Sequence, residues 1–285
     1  MRDMQGSLTT LFRMRHAGFH ACAWLMVGLL LGSLMACATP YASSQFNQLT
    51  PVELNATQER AQRRLVLALA YFEQGQNDVA LQEVRAALKI DPQNPSAYNL
   101  LGLIHQRNHA PALAQQSFET SAYWAKQTAS SVDLADAQHN LGWLLCEQAQ
   151  YPKAQAQFEQ ALSQTHYRQQ SKTQMASGIC HLRARQADAA RQSWQQSLAN
   201  DPRNALVRYQ LALLDWQTQP AMANTLLAPL NAQQHGSAES LWLGVRVAHA
   251  LNNPQDMQQL GQQLLQRYPE SVQAQAWIQR KFEEQ

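Results

Sequence analysis

Charge of either sign is scarce in this 285-residue chain: Asp, Glu, Lys and Arg make up only 15% of it, 22 basic against 20 acidic. A net +2 is too small to draw a protein to nucleic acid, and no local basic run supplies the missing patch. Glycine and proline number 11 each and cysteine 4, so neither a disulfide framework nor a low-complexity chain is in view. There is no glycine-rich phosphate loop, no Gly-x-Ser-x-Gly elbow and no Cys-x-x-Cys, which leaves enzymatic chemistry without a carrier. His105 and His109 stand four apart, as zinc ligands do on a helix. Gln106 occupies the place of the needed base, however, and His109 falls on a turn, so the pair is read as solvated side chains and no metal or cofactor is expected. What is abundant is apolar residues, 45%, together with 42 glutamines, as many as all charged residues combined. Glutamine is a good helix former, and a chain this apolar can bury a large core; the composition leans all-α.

Only one long apolar run exists, Ala21 to Leu34, preceded by Arg13, Arg15 and His16. It is short for a membrane span and has the charge and length of a secretory signal. Leu34-Met35-Ala36-Cys37 resembles the bacterial lipobox, with Met35 a mild departure. The resemblance implies that residues 1–36 are removed and that Cys37 becomes a lipidated first residue. Ala38 in the next position implies an outer-membrane destination on the periplasmic face, the lipid supplying the membrane affinity. Residues 37–60 are rich in Thr, Pro, Ser, Asn and Gln and read as a tether. Removing residues 1–36 takes away three arginines and one aspartate, leaving 19 basic and 19 acidic residues, so the apparent basicity belongs to the export signal.

From residue 61 onward the text repeats. Gly102, Gly142 and Gly178 sit inside apolar helical stretches, each twelve residues before an alanine (Ala114, Ala154, Ala190) and sixteen before an aromatic (Phe118, Phe158, Trp194). Gly244 follows Leu243 in the same way without that aromatic, and Asp91-Pro92 and Asp201-Pro202 punctuate helix ends. The pattern of Leu-Gly, Ala, aromatic, Ala and Pro at fixed offsets resembles the tetratricopeptide repeat. It implies a right-handed superhelical solenoid of about six helical hairpins over 61–285, starting near residues 61, 95, 135, 171, 205 and 237. Glycine inside a helix costs about 1 kcal/mol against alanine, so its recurrence points to close approach of helices A and B. His181 takes a signature aromatic position and is expected to fill core.

In such a stack, positions 2, 5, 9 and 12 of helix A face the concave side. The expected groove lining is therefore Leu65, Leu69 and Phe72; Asn99 and Leu103; His139 and Trp143; Met175, Ile179 and Leu182; Tyr209, Leu213 and Trp216; and Leu241 and Val245. Such an apolar, aromatic groove suits a peptide or partner helix. Cys146 and Cys180 fall at similar heights on helix A of adjacent repeats, as a bridged pair or as two buried thiols.

Three stretches exceed the generic repeat: HNLGWLLCEQAQYPKAQAQFEQAL (139–162), GICHLRARQADAARQSW (178–194) and AESLWLGVRVAHALNN (238–253). They resemble the type IV pilus biogenesis and stability lipoprotein family. Extra residues near Ala129, Ser130 and Ser131, the missing proline after repeat two, and Pro111 opening a helix B depart from the pattern. The resemblance implies a monomeric, non-catalytic outer-membrane lipoprotein that acts like a pilotin on the pilus secretin subunit. A general envelope adaptor for outer-membrane protein assembly or peptidoglycan enzymes is the other reading of the same fold.

Overall fold

The computed structural model describes residues 56–232 and 236–282. The signal segment, Cys37 and most of the tether lie outside the described residues. Among those described, the chain forms thirteen α-helices and no strand. Six antiparallel hairpins follow one another: α1 (Ala56–Glu73) with α2 (Asn77–Ile90), α3 (Pro95–Arg107) with α4 (Pro111–Gln127), α5 (Ser131–Glu147) with α6 (Tyr151–Leu162), α7 (Gln170–Arg183) with α8 (Ala187–Asn200), α9 (Ala205–Asp215) with α10 (Pro220–Asn231), and α11 (Ala238–Ala250) with α12 (Pro254–Arg267). A short α13 (Val272–Ile278) closes the array. Helix α1 starts at Ala56, inside the stretch read as tether, so helical order begins five residues earlier than the repeat register indicates. None of these helices is long and apolar enough to cross a membrane.

Local chemistry fixes the helix ends. Asn94, Ser130, Asn204 and Ser237 each accept a hydrogen bond from a backbone N–H three residues on, starting helix A of repeats two, three, five and six. Proline occupies the first turn of α3, α4, α6, α10 and α12, where no N–H is needed. Five of the six A-to-B turns share one geometry, the exception being that between α9 and α10. Gly75, His109, Ala149, Arg185 and Asn252 all have φ between +53° and +76°, and the next residue's N–H returns to a carbonyl five back, as from Gln186 to His181 at 2.9 Å. Only one of these five left-handed positions is glycine.

Hairpins two, three and four close where a helix A glycine meets a helix B ring. A Cβ on Gly142 would come within 2.8 Å of the Phe158 ring, and one on Gly102 or Gly178 would collide with Phe118 or Trp194. All three rings are fully buried. The hairpins then stack: α1 touches α3, α3 touches α5, and α5 touches α7, while every helix B packs on the helix A that follows it. The A-helices therefore make one layer of a superhelical array and the B-helices the other. The extra residues after repeat two are absorbed by α4, which at 17 residues outruns its 13-residue partner α3.

Two substitutions separate packing from backbone conformation. Gly178→Ala gains helix propensity but drives a methyl into the Trp194 indole, and a net loss of about 1–3 kcal/mol is expected in urea unfolding. Arg185→Gly relieves a left-handed backbone and is expected to gain about 0.5 kcal/mol. A Gly178→Ala protein more stable than the parent would contradict the close-packing account.

Candidate partner-binding groove

The expected groove residues divide into two groups. Leu65, Leu241 and Val245 have no exposed surface, and His139 is 6% exposed; these four do not line an open groove. His139 is drawn into the seam between adjacent A-helices, whereas Leu241 faces the helices that follow its own, α12 and α13. His139 on α5 bonds through Nδ1 to Thr173 Oγ1 on α7 at 2.9 Å, and Leu241 packs with Leu264 and Ala274. By contrast Leu69, Phe72, Asn99, Leu103, Trp143, Met175, Ile179, Tyr209 and Trp216 are half-buried, and Leu182 and Leu213 are about 40% exposed. They leave a discontinuous apolar strip along the A-layer. His181, expected in the core, is half-buried and instead bonds Gln186 at 2.7 Å; its neighbour Cys180 is the buried one.

The strip carries cations that the repeat pattern did not reveal. The guanidinium carbon of Arg107 on α3 lies 3.5 Å from the ring centre of Phe72 on α1. That of Arg183 on α7 stands 5.2 Å from Trp143 on α5, and that of Arg246 on α11 stands 4.1 Å from Trp216, the residue that caps the C-terminus of α9. An aromatic of each odd-numbered repeat is thus covered by an arginine of the next repeat. Arg107 also donates to the Phe72 carbonyl. Such pairs fix otherwise mobile arginines flat against rings, leaving guanidinium edges available to carboxylates. The only sequence signal was the presence of Arg107 and Arg183 in the last turn of helix A, which charge counting alone passes over.

Between repeats three and four the seam is polar and covalently closed. Thr173 Oγ1 bonds both His139 and the Tyr167 hydroxyl, the latter at 2.6 Å. Cys146 and Cys180 form a disulfide with Cα atoms 5.7 Å apart, linking α5 to α7 across 34 residues. In the chain-entropy account a loop of that length is worth about 3–4 kcal/mol. Burial raises the Asp136 carboxyl to about 6, with nearby Lys172 opposing and Asp133 reinforcing the rise. Burial, and then Lys172, lowers His139 to about 3. The Tyr167 hydroxyl is raised and the Lys172 ammonium lowered, both chiefly by burial. Among the described residues no three His, Cys, Asp or Glu side chains gather as metal ligands.

Known proteins match this arrangement. Models described as TPR repeat and tetratricopeptide repeat fit residues 68–108, 94–164 and 139–205. The chain is 27% identical over 252 residues to the type IV pilus assembly protein PilF of Pseudomonas aeruginosa, covering 88% of this chain and 95% of that one. A solved structure of P. aeruginosa PilF superposes with a TM-score of 0.66 at 25% identity, over 79% of this chain and 99% of that one. PilW, described as a widely conserved type IV pilus biogenesis factor, superposes with a TM-score of 0.64 at 25% identity, over 76% of this chain and 98% of that one. YrrB, a repeat protein with an unusual peptide-binding site, shares the fold at 14% identity with a TM-score of 0.54, over 69% of this chain and 97% of that one.

The polar seam has a pH signature. Between pH 6 and 4 the folded chain keeps a proton on Asp136 that the unfolded chain has lost, and lacks one on His139 that the unfolded chain has gained, so these two contributions cancel. Asp136→Asn removes the compensation. Its stability is then expected to fall as the pH drops below 6.5, by up to about 1.4 kcal/mol per unit relative to the parent. Denaturant titrations over this range check it; parallel profiles for the two proteins would contradict the assignment.

Proposed function

The chain is a tetratricopeptide-repeat protein related to the type IV pilus biogenesis factors, and on that premise we propose that it is a non-catalytic, outer-membrane lipoprotein that assists assembly of the pilus secretin. Acyl chains on Cys37 hold the array at the periplasmic face of the membrane. The A-layer groove then engages a secretin subunit and raises its local concentration where the ring is built. What supports a binding role is the strip itself: half-buried Phe72, Leu103, Trp143, Met175 and Ile179, with arginines laid over Phe72 and Trp143. Aromatic and arginine side chains held rigid in a partly desolvated groove are the types that dominate protein–protein binding energy. A partner segment of mixed apolar and acidic character fits this lining.

Deletion of the gene is expected to abolish surface pili and secretin multimers while leaving other outer-membrane barrels intact; normal piliation would sink the reading. Trp143→Ala is expected to weaken secretin capture by the purified protein roughly tenfold or more with helical content retained. Cys37→Ser should release the protein from the membrane fraction.

A further inference from the structure

The end of the array holds a contact that neither the repeat pattern nor the pilus reading requires. After α13 the backbone reverses at Arg280, whose φ is +55°, and the Lys281 N–H bonds the Ala276 carbonyl at 3.0 Å. This turn places Phe282 among three rings, with centroid separations of 4.7 Å to His249, 5.9 Å to Trp277 and 6.0 Å to Trp242. Trp242 and His249 lie on one face of α11, and Arg246 lies between them. The Arg246 Nε donates to the Phe282 carbonyl at 2.9 Å. Its guanidinium stacks on Trp216, so the cage is continuous with the fifth-repeat end of the groove strip.

Arg246 is only 7% exposed, and among the described residues its Nη2 has no hydrogen-bond partner. A buried guanidinium N–H left unmatched costs on the order of 1–3 kcal/mol, and the planar fork is built for a carboxylate. Among the described residues the oxygen it meets is a neutral main-chain carbonyl, that of Phe282. In sequence, Phe282 is followed by Glu283, Glu284 and Gln285.

We propose that the Trp242–His249–Trp277 cage and Arg246 form a peptide-docking site for an aromatic residue followed by carboxylates, kept closed in the free protein by the chain's own Phe282. The occupant that opens it is a partner segment of the same chemistry, its ring replacing Phe282 and its acidic side chain meeting Arg246. A tethered tail acts at an effective concentration in the millimolar range, so it shuts out weak ligands and yields to a partner presented at high local concentration. The inference rests on this self-contact and stands or falls independently of the pilus reading.

The test is a fluorescein-labelled Lys-Phe-Glu-Glu-Gln peptide titrated with two forms of the protein, the full chain and the chain ending at Arg280, read by anisotropy. The shortened chain is expected to bind at least tenfold more tightly than the full chain. Arg246→Gln in the shortened chain, or Ala for Phe in the peptide, should each weaken binding about tenfold. Equal binding by both chains, no binding by either, or binding indifferent to Arg246→Gln overturns the proposal. If the shortened chain loses its helical circular dichroism, Phe282→Ala in the full chain takes its place. A gain in peptide binding by that variant supports the site, and no gain overturns it.

Discussion

Close approach of two helix backbones, permitted by glycine and filled by one aromatic ring, is the contact on which the rest of this array depends. Gly102 with Phe118, Gly142 with Phe158 and Gly178 with Trp194 set the crossing of hairpins two, three and four, and the hairpin crossing sets where helix A presents its face. The same device reappears outside the repeat register, where Gly261 of α12 receives Trp277 of α13 and so anchors the segment that leads to Phe282. At the sixth hairpin the ring is replaced by Leu260, and Asn231 of the preceding repeat fills the remaining space. The Asn231 amide donates to the Ser240 carbonyl and accepts from the Ser240 hydroxyl at 3.1 and 3.0 Å. A polar plug does there what an indole does at Gly178.

How much of this could be read from the sequence follows from the range of each interaction. The hairpins and their order were legible because their determinants repeat at fixed short offsets, and helices begin at Pro95 and Ala205, where the register places repeats two and five. The third repeat begins earlier than its register, at Ser131, because Ser130 caps the first turn of a 17-residue α5. The groove was legible only in part. His139 sits where the A-helices α5 and α7 meet, and how closely those helices pack is a property of the stack, not of one repeat. Arginine coverage of Phe72, Trp143 and Trp216 was invisible because each pair joins residues 30 to 40 apart through side chains long enough to span a repeat. The masking of Arg246 by Phe282 depends on a left-handed turn at Arg280, a conformation that arginine does not advertise.

Low net charge has a counterpart in how the repeats adhere. Many polar contacts between repeats join amides and hydroxyls: Gln155 and Ser177 exchange two hydrogen bonds, Asn140 bonds Asn99, and Asn77 bonds Asn108. Directional groups of this kind fix the register of one helix on the next without the desolvation cost of ions and with little sensitivity to salt. Among the described residues the ion pair between repeats is that of Arg191, which uses Nε and Nη2 to grip the nearly buried Asp215 at 2.9 and 2.7 Å and so ties repeat four to repeat five. Unpairing that carboxylate would leave a charge in the interface, which makes the contact a specifier of stacking geometry more than a source of stability.

A superhelical stack of hairpins behaves as a spring, lengthening when the seams between its layers open. The Cys146–Cys180 bond crosses one such seam within the A-layer. Repeats three and four therefore cannot separate on that side, so opening of the A-layer is confined to its other seams. The groove can in this sense change its curvature at those seams while the spacing between Trp143 and Ile179 stays fixed.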